Sequence, residues 1–114
     1  MKFLCEYDEF YPNKGFPSIK PLLHGTEYSG RKEAIAYMCS GRPFLVSTKI
    51  PDDIVTGEHG VGGIAYRDDG DYTWSSELTY YVDKYNMRLP QDFIDHAKKK
   101  VKLLNLDINK KVIY

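Results

Sequence analysis

The 114-residue chain has little cysteine, no long hydrophobic run, few histidines and no net charge: two cysteines, three histidines, and 16 basic side chains against 16 acidic. Each scarcity excludes something. Cys5 and Cys39 lack a Cys-x-x-Cys spacing or a neighbouring histidine, which argues against a zinc site or a thioredoxin-like pair and predicts two free thiols. No stretch approaches the roughly 20 apolar residues of a membrane helix. The opening Met1-Lys2-Phe3-Leu4-Cys5-Glu6 meets an acid long before the about 7 apolar residues of a signal-peptide core, so a cytoplasmic protein without membrane contact is expected. Zero net charge removes the basic surplus that releases counterions from phosphates, so direct nucleic-acid binding is not expected. His24, His59 and His96 fall in no metal-ligand spacing, and neither a metal nor a cofactor is predicted.

What is present describes an ordinary globular domain, 42% hydrophobic and 28% charged, long enough for one core without staples. Residues 1–114 are read as a single domain. Ten tyrosines exceed what a small core needs, and because tyrosine both packs and binds through its hydroxyl, the surplus hints at a recognition surface.

Alternation over residues 2–7 predicts a first strand with Phe3, Cys5 and Tyr7 on its buried face. A loop rich in proline and glycine follows from Tyr11 to Gly25. Ser29 is the expected cap of a short helix to Cys39, with Ile35, Met38 and Cys39 on its inner stripe, and Phe44 to Lys49 alternates as a second strand. Asp69-Gly70 centres a hairpin. A three-residue loop is favoured there because it puts Ile64, Tyr66, Tyr72 and Trp74 on one buried face. Ser75-Ser76-Glu77 starts a second helix with Leu78, Tyr81, Val82 and Tyr85 inward, and Asn86 closes it. A third helix runs from Pro90 to about Leu104 on Phe93, Ala97, Val101 and Leu104. The sum is an α+β domain with a mainly antiparallel sheet of about four strands and about three helices.

Charge is unevenly spread. Residues 1–83 hold 8 basic and 13 acidic side chains, and residues 84–114 hold 8 basic and 3 acidic. The acids cluster as Glu6, Asp8 and Glu9 after the first strand, Asp52 and Asp53 in a loop, and Asp68, Asp69 and Asp71 at the hairpin tip. These eight are the candidate partner-binding residues, because clusters at element ends that converge on one rim would steer and hold a basic partner. Asp68-Asp69-Gly70-Asp71 lacks the twelve-residue loop and closing glutamate of a calcium-binding EF-hand.

Catalytic constellations are not found. Cys39-Ser-Gly-Arg42 suits helix termination better than a nucleophile loop, and Gly57-Glu-His-Gly-Val-Gly-Gly63 lacks the Lys-Ser/Thr of a P-loop and runs into a strand. Two other classes stay open at this stage. One is a small-ligand-binding domain or enzyme built on the Gly57 to Gly63 loop and His59. The other is a regulatory protein contacting nucleic acid through the lysines between Lys98 and Lys102.

Tyr11-Pro-Asn-Lys-Gly-Phe-Pro-Ser18 and Asp71-Tyr-Thr-Trp-Ser-Ser-Glu-Leu-Thr-Tyr-Tyr-Val-Asp-Lys-Tyr-Asn-Met-Arg-Leu-Pro-Gln-Asp-Phe93 give the chain a look that resembles small immunity proteins of contact-dependent growth-inhibition and Rhs-type toxin systems. The resemblance lies in length, segment order and style. It implies a bacterial cytoplasmic antitoxin that binds the C-terminal domain of a cognate toxin, such as a nuclease, one-to-one as a monomer and occludes it without turnover of its own.

Overall fold

A computed structural model of the chain describes residues 2–23, 25–58 and 64–109. The strands are β1 (Lys2–Phe3), β2 (Arg42–Ser47), β3 (Ile64–Asp68) and β4 (Tyr72–Ser75), and the helices are α1 (Arg31–Ser40), α2 (Ser76–Tyr85) and α3 (Gln91–Leu104). A 3-10 turn spans Lys20–Leu22. The sheet order is β1-β4-β3-β2, with β1 parallel to β4 and the other pairs antiparallel. This is an α+β fold.

Local chemistry explains the helix ends. The Ser75 side chain accepts the Leu78 N–H at 3.2 Å, and Asn86 ends α2 in the left-handed region. Leu78, Tyr81 and Val82 are fully buried, as their spacing predicts. The entry to α1 differs from expectation: Gly30, not Ser29, is its N-cap, at φ 91° and without a side-chain cap bond. A Cβ at Gly30 would stand 2.4 Å from Ile94 Cγ2, so glycine is needed both for the backbone angle and for the close approach of α1 to α3. The inner face of α1 is Ala34, Ile35, Tyr37 and Met38, with Cys39 only half-buried. α3 buries Phe93, Ala97 and Val101 as predicted but leaves Leu104 exposed.

Two strand predictions are corrected. β1 has two residues, because the chain turns at once and Tyr7 N–H donates to the Cys5 carbonyl, so the alternation over residues 2–7 is not strand along its length. In the hairpin, Asp69 pairs with Tyr72 around a two-residue loop, Gly70-Asp71, with Gly70 at φ 93°. Tyr66 then stands opposite Ser75, Arg67 opposite Trp74, and Asp68 opposite Thr73. Trp74 and Tyr72 therefore share a face with Arg67, while Ile64 and Tyr66 lie on the other. The one-face expectation fails because both faces are covered. Trp74 packs with Tyr37 and Phe93 of the helices, and across the sheet Tyr11 contacts the Phe3 ring and bonds the Tyr66 hydroxyl.

Trp74 is the centre of the core. It is fully buried, its indole N–H donates to the Met38 carbonyl at 3.0 Å, and its ring leaves no room for a Cβ at Gly41.

Candidate functional site

Two carboxylates organise the buried polar chemistry. Asp53 is 1% exposed, and its Oδ2 accepts the hydroxyls of Tyr80 and Tyr85, each at 2.6 Å. Its Oδ1 accepts the N–H groups of Val55 and Thr56, an arrangement that aspartate forms readily at a turn. Lys84 Nζ lies 4.0 Å from the same carboxylate and 5.5 Å from the Tyr80 ring centre. Burial alone would raise the Asp53 pKa, but the hydrogen bonds from Tyr80, Tyr85, Thr56 and Val55 outweigh it and hold the group at about 2. Burial first, and then the bonds to Asp53, push the Tyr80 hydroxyl up and take Tyr85 to about 12.

Asp69 does the equivalent work at the hairpin tip. Its Oδ2 accepts the Tyr37 hydroxyl at 2.5 Å and bonds His96 Nε2 at 2.7 Å, and its Oδ1 accepts the N–H groups of Asp71 and Tyr72. One side chain thus joins the tip to α1 and α3. Asp69 is lowered in pKa, since these bonds overcome the opposing effect of burial. Asp69, Asp71 and His96 bring three potential metal-ligand atoms within 4.8 Å of one another. The Asp69 oxygens, however, already accept four hydrogen bonds, so Asp69 serves as an anchor for the tip, with its lone pairs committed inside the fold, while Asp71 is exposed.

The eight predicted binding acids do not converge. Because β1 runs parallel to β4, the chain leaves β1 at the end of the sheet opposite the hairpin tip, which separates Glu6, Asp8 and Glu9 from Asp68, Asp69 and Asp71. Asp52 and Asp53 belong to a third place, against α2: Asp53 meets Tyr80 and Tyr85, and the Asp52 carbonyl lies 3.5 Å from the Tyr81 hydroxyl. At least three of the eight carboxylates are tied inside the fold. Asp53 and Asp69 are as described, and Glu9 accepts the Ser18 hydroxyl and the Ile19 N–H. Glu6, Asp8, Asp52 and Asp71 are exposed and Asp68 is half-buried.

The tyrosine surplus has an internal use. Tyr11 and Tyr66 bond each other, Tyr28 donates to the Met87 carbonyl, Tyr72 meets Asp92, and Tyr81 accepts the Ile54 N–H, in addition to Tyr37, Tyr80 and Tyr85 above. These hydroxyls brace the fold.

Among the described residues, the longest run of exposed large apolar side chains lies on β2. Phe44, Leu45 and Val46 are 56%, 57% and 69% exposed, on a strand that pairs only with β3 among the described residues. Side chains alternate between sheet faces, so three consecutive exposed apolar residues mean that both faces are uncovered here. Scattered single apolar residues are normal on a surface, whereas a contiguous run on a sheet edge marks an interaction or aggregation site. The alternation in residues 44–49 predicts the strand but not its exposure. The usable signal was Pro43, which favours edge strands, beside an unbroken Phe-Leu-Val run framed by Arg42 and Lys49.

The remaining candidates fare differently. His59 and most of the Gly57 to Gly63 loop lie outside the described residues, as does His24. On α3, Lys98 donates to the Ser29 hydroxyl at 3.2 Å, while Lys99 and Lys102 are exposed. No described helix is long and apolar enough to cross a membrane. No protein-family model, curated protein or solved structure matches the chain.

Proposed function

We propose that the protein is a stoichiometric protein-binding module, an immunity protein that works in the cytoplasm and neutralises a cognate bacterial toxin domain by one-to-one occlusion. The observation that carries the reading is the exposed run Phe44-Leu45-Val46 on the β2 edge. Full burial of three such side chains is worth roughly 1.5–3 kcal/mol each before the costs of association, enough to anchor a complex. The internal commitment of Asp53 and Asp69 supports the same reading, since a general acid or base needs a carboxylate that substrate can reach. Glu6, Asp8, Asp52 and Asp71 are exposed and Asp68 is half-buried, at three separate places, where such charges can influence encounter rate and specificity. Asp53, Asp69 and Glu9 act only by holding their loops.

Co-expression tests the reading. Cells that carry the toxin domain encoded beside this protein survive with it and die without it, and the purified pair migrates as a one-to-one complex. Death despite co-expression, or no complex between the purified proteins, overturns it.

A further inference from the structure

We propose that β2 is a strand-addition site for an extended segment of the partner protein, apolar at its centre and carrying a carboxylate at each end; the proposal rests on the protein-binding reading above. An edge strand offers backbone N–H and C=O groups to a new strand, and its uncovered faces offer pockets to alternate side chains. β2 combines both: it is the outer strand beside β3 among the described residues, and Phe44, Leu45 and Val46 are exposed.

The occupant follows from charge. Arg42 opens β2 and Lys49 follows its end by two residues; both are exposed, and each has an acid toward the body of the fold, Asp68 opposite Arg42 on β3 and Glu77 within electrostatic reach of Lys49, so the outer side of the edge carries a basic group at each end. A second copy of the chain paired antiparallel about Leu45 and Val46 would set Arg42 against Lys49, and like charges directly opposite one another destabilise a pair. A strand with a carboxylate at each end turns both contacts favourable. Two further features act against indiscriminate pairing. Pro43 has no N–H to offer, and the register with β3 shifts between Pro43 and Leu45, a bulge that twists the edge. The edge is thus guarded against its own kind and open along residues 44–47 to a segment of complementary charge.

The test uses the intact chain labelled with 15N and two capped eight-residue peptides of alternating valine and threonine, one with glutamate at both ends, one with lysine. The glutamate peptide should shift amide resonances within 42–49 saturably and bind at least about tenfold more tightly than the lysine peptide, the equivalent of 1.4 kcal/mol. Arg42→Gln with Lys49→Gln should erase that preference while leaving the amide spectrum of the core in place. Equal affinity for the two peptides, shifts centred elsewhere, no saturable shift up to millimolar peptide, or a dimer through β2 in sedimentation overturns the proposal. Protection of cells by Val46→Lys as complete as by the parent also overturns strand addition while the protein-binding reading stands. If the glutamate peptide binds as expected and cells still die, the toxin reading fails and the strand site remains.

Discussion

Asp53 and Val46 lie only seven positions apart in the chain yet sit at opposite extremes of exposure, with the charged residue inside and the apolar one outside: Asp53 is 1% exposed and Val46 is 69% exposed. The inversion has a physical cause in each case. Asp53 meets two tyrosine hydroxyls and two backbone N–H groups, which replace the water its carboxylate loses. Val46 is on the outer strand of the sheet among the described residues and keeps its side chain exposed. Polar groups in this domain contribute mainly to stability, and apolar groups at one edge are free to contribute to binding. The two tasks should therefore be separable by mutation.

The largest expected effect is at the core. Trp74→Ala removes a fully buried indole and its bond to Met38, and should cost roughly 3–5 kcal/mol in denaturant unfolding, much of a small domain's stability. An unchanged midpoint would remove Trp74 from the centre of the fold.

Asp53→Ala comes next. It takes away the acceptor that the hydroxyls of Tyr80 and Tyr85 share, at about 1–3 kcal/mol for the lost buried hydrogen bonds. The pH dependence has a definite sign. The folded pKa of about 2 lies below the roughly 3.9 of an unfolded aspartate, so the stabilisation is complete above about pH 4 and is lost as the pH falls toward 2. Asp69 and Glu9 shift in the same direction and add to this acid loss. Unfolding midpoints measured between pH 7 and 2 should fall less steeply in Asp53→Asn than in the parent, and equal slopes would show that Asp53 is not held as described.

The hairpin tip sharpens the contrast within three acids. From sequence, charge reversal of Asp68, Asp69 and Asp71 together is expected to leave stability nearly unchanged. The structure separates them. Asp69→Lys breaks the bonds to Tyr37, His96 and two backbone N–H groups and should lower the thermal midpoint by several degrees, whereas Asp71→Lys should move it little. Equal effects of the two substitutions would remove the anchor role of Asp69.

Much of this fold is legible in the sequence wherever one local rule dominates. The Ser75 cap, the Leu78, Tyr81 and Val82 stripe, the Asn86 stop and the extent of α3 all follow from spacing and capping chemistry. The failures share a cause: they depend on contacts distant in sequence. Hairpin register depended on which layers cover each face, and the N-terminal segment that brings Tyr11 over Tyr66 has no periodic signature. The fate of the acids was hidden for the same reason, since nothing near Asp53 foretells Tyr80 and Tyr85, and nothing near Asp69 foretells His96. The exposure of β2 was hinted at only by Pro43 and the unbroken Phe-Leu-Val run beside it.

The smallest effect on stability is expected where binding should suffer most. Val46→Lys should shift the free energy of unfolding by no more than about 0.5 kcal/mol, as for an exposed site, and should strongly weaken the proposed complex with a toxin domain. A variant that unfolds early would mean that β2 belongs to the core after all.

The most direct test of the central claim is amide hydrogen exchange along residues 42–49 in the free protein and in the complex proposed with the toxin domain. Paired edge amides exchange slowly, and exposed ones exchange fast. The account predicts that exchange in this stretch slows on binding while the Asp53 and Asp69 loops, already hydrogen-bonded, change little. Protection that appears at the hairpin tip or on α3, with residues 42–49 unchanged, would contradict it.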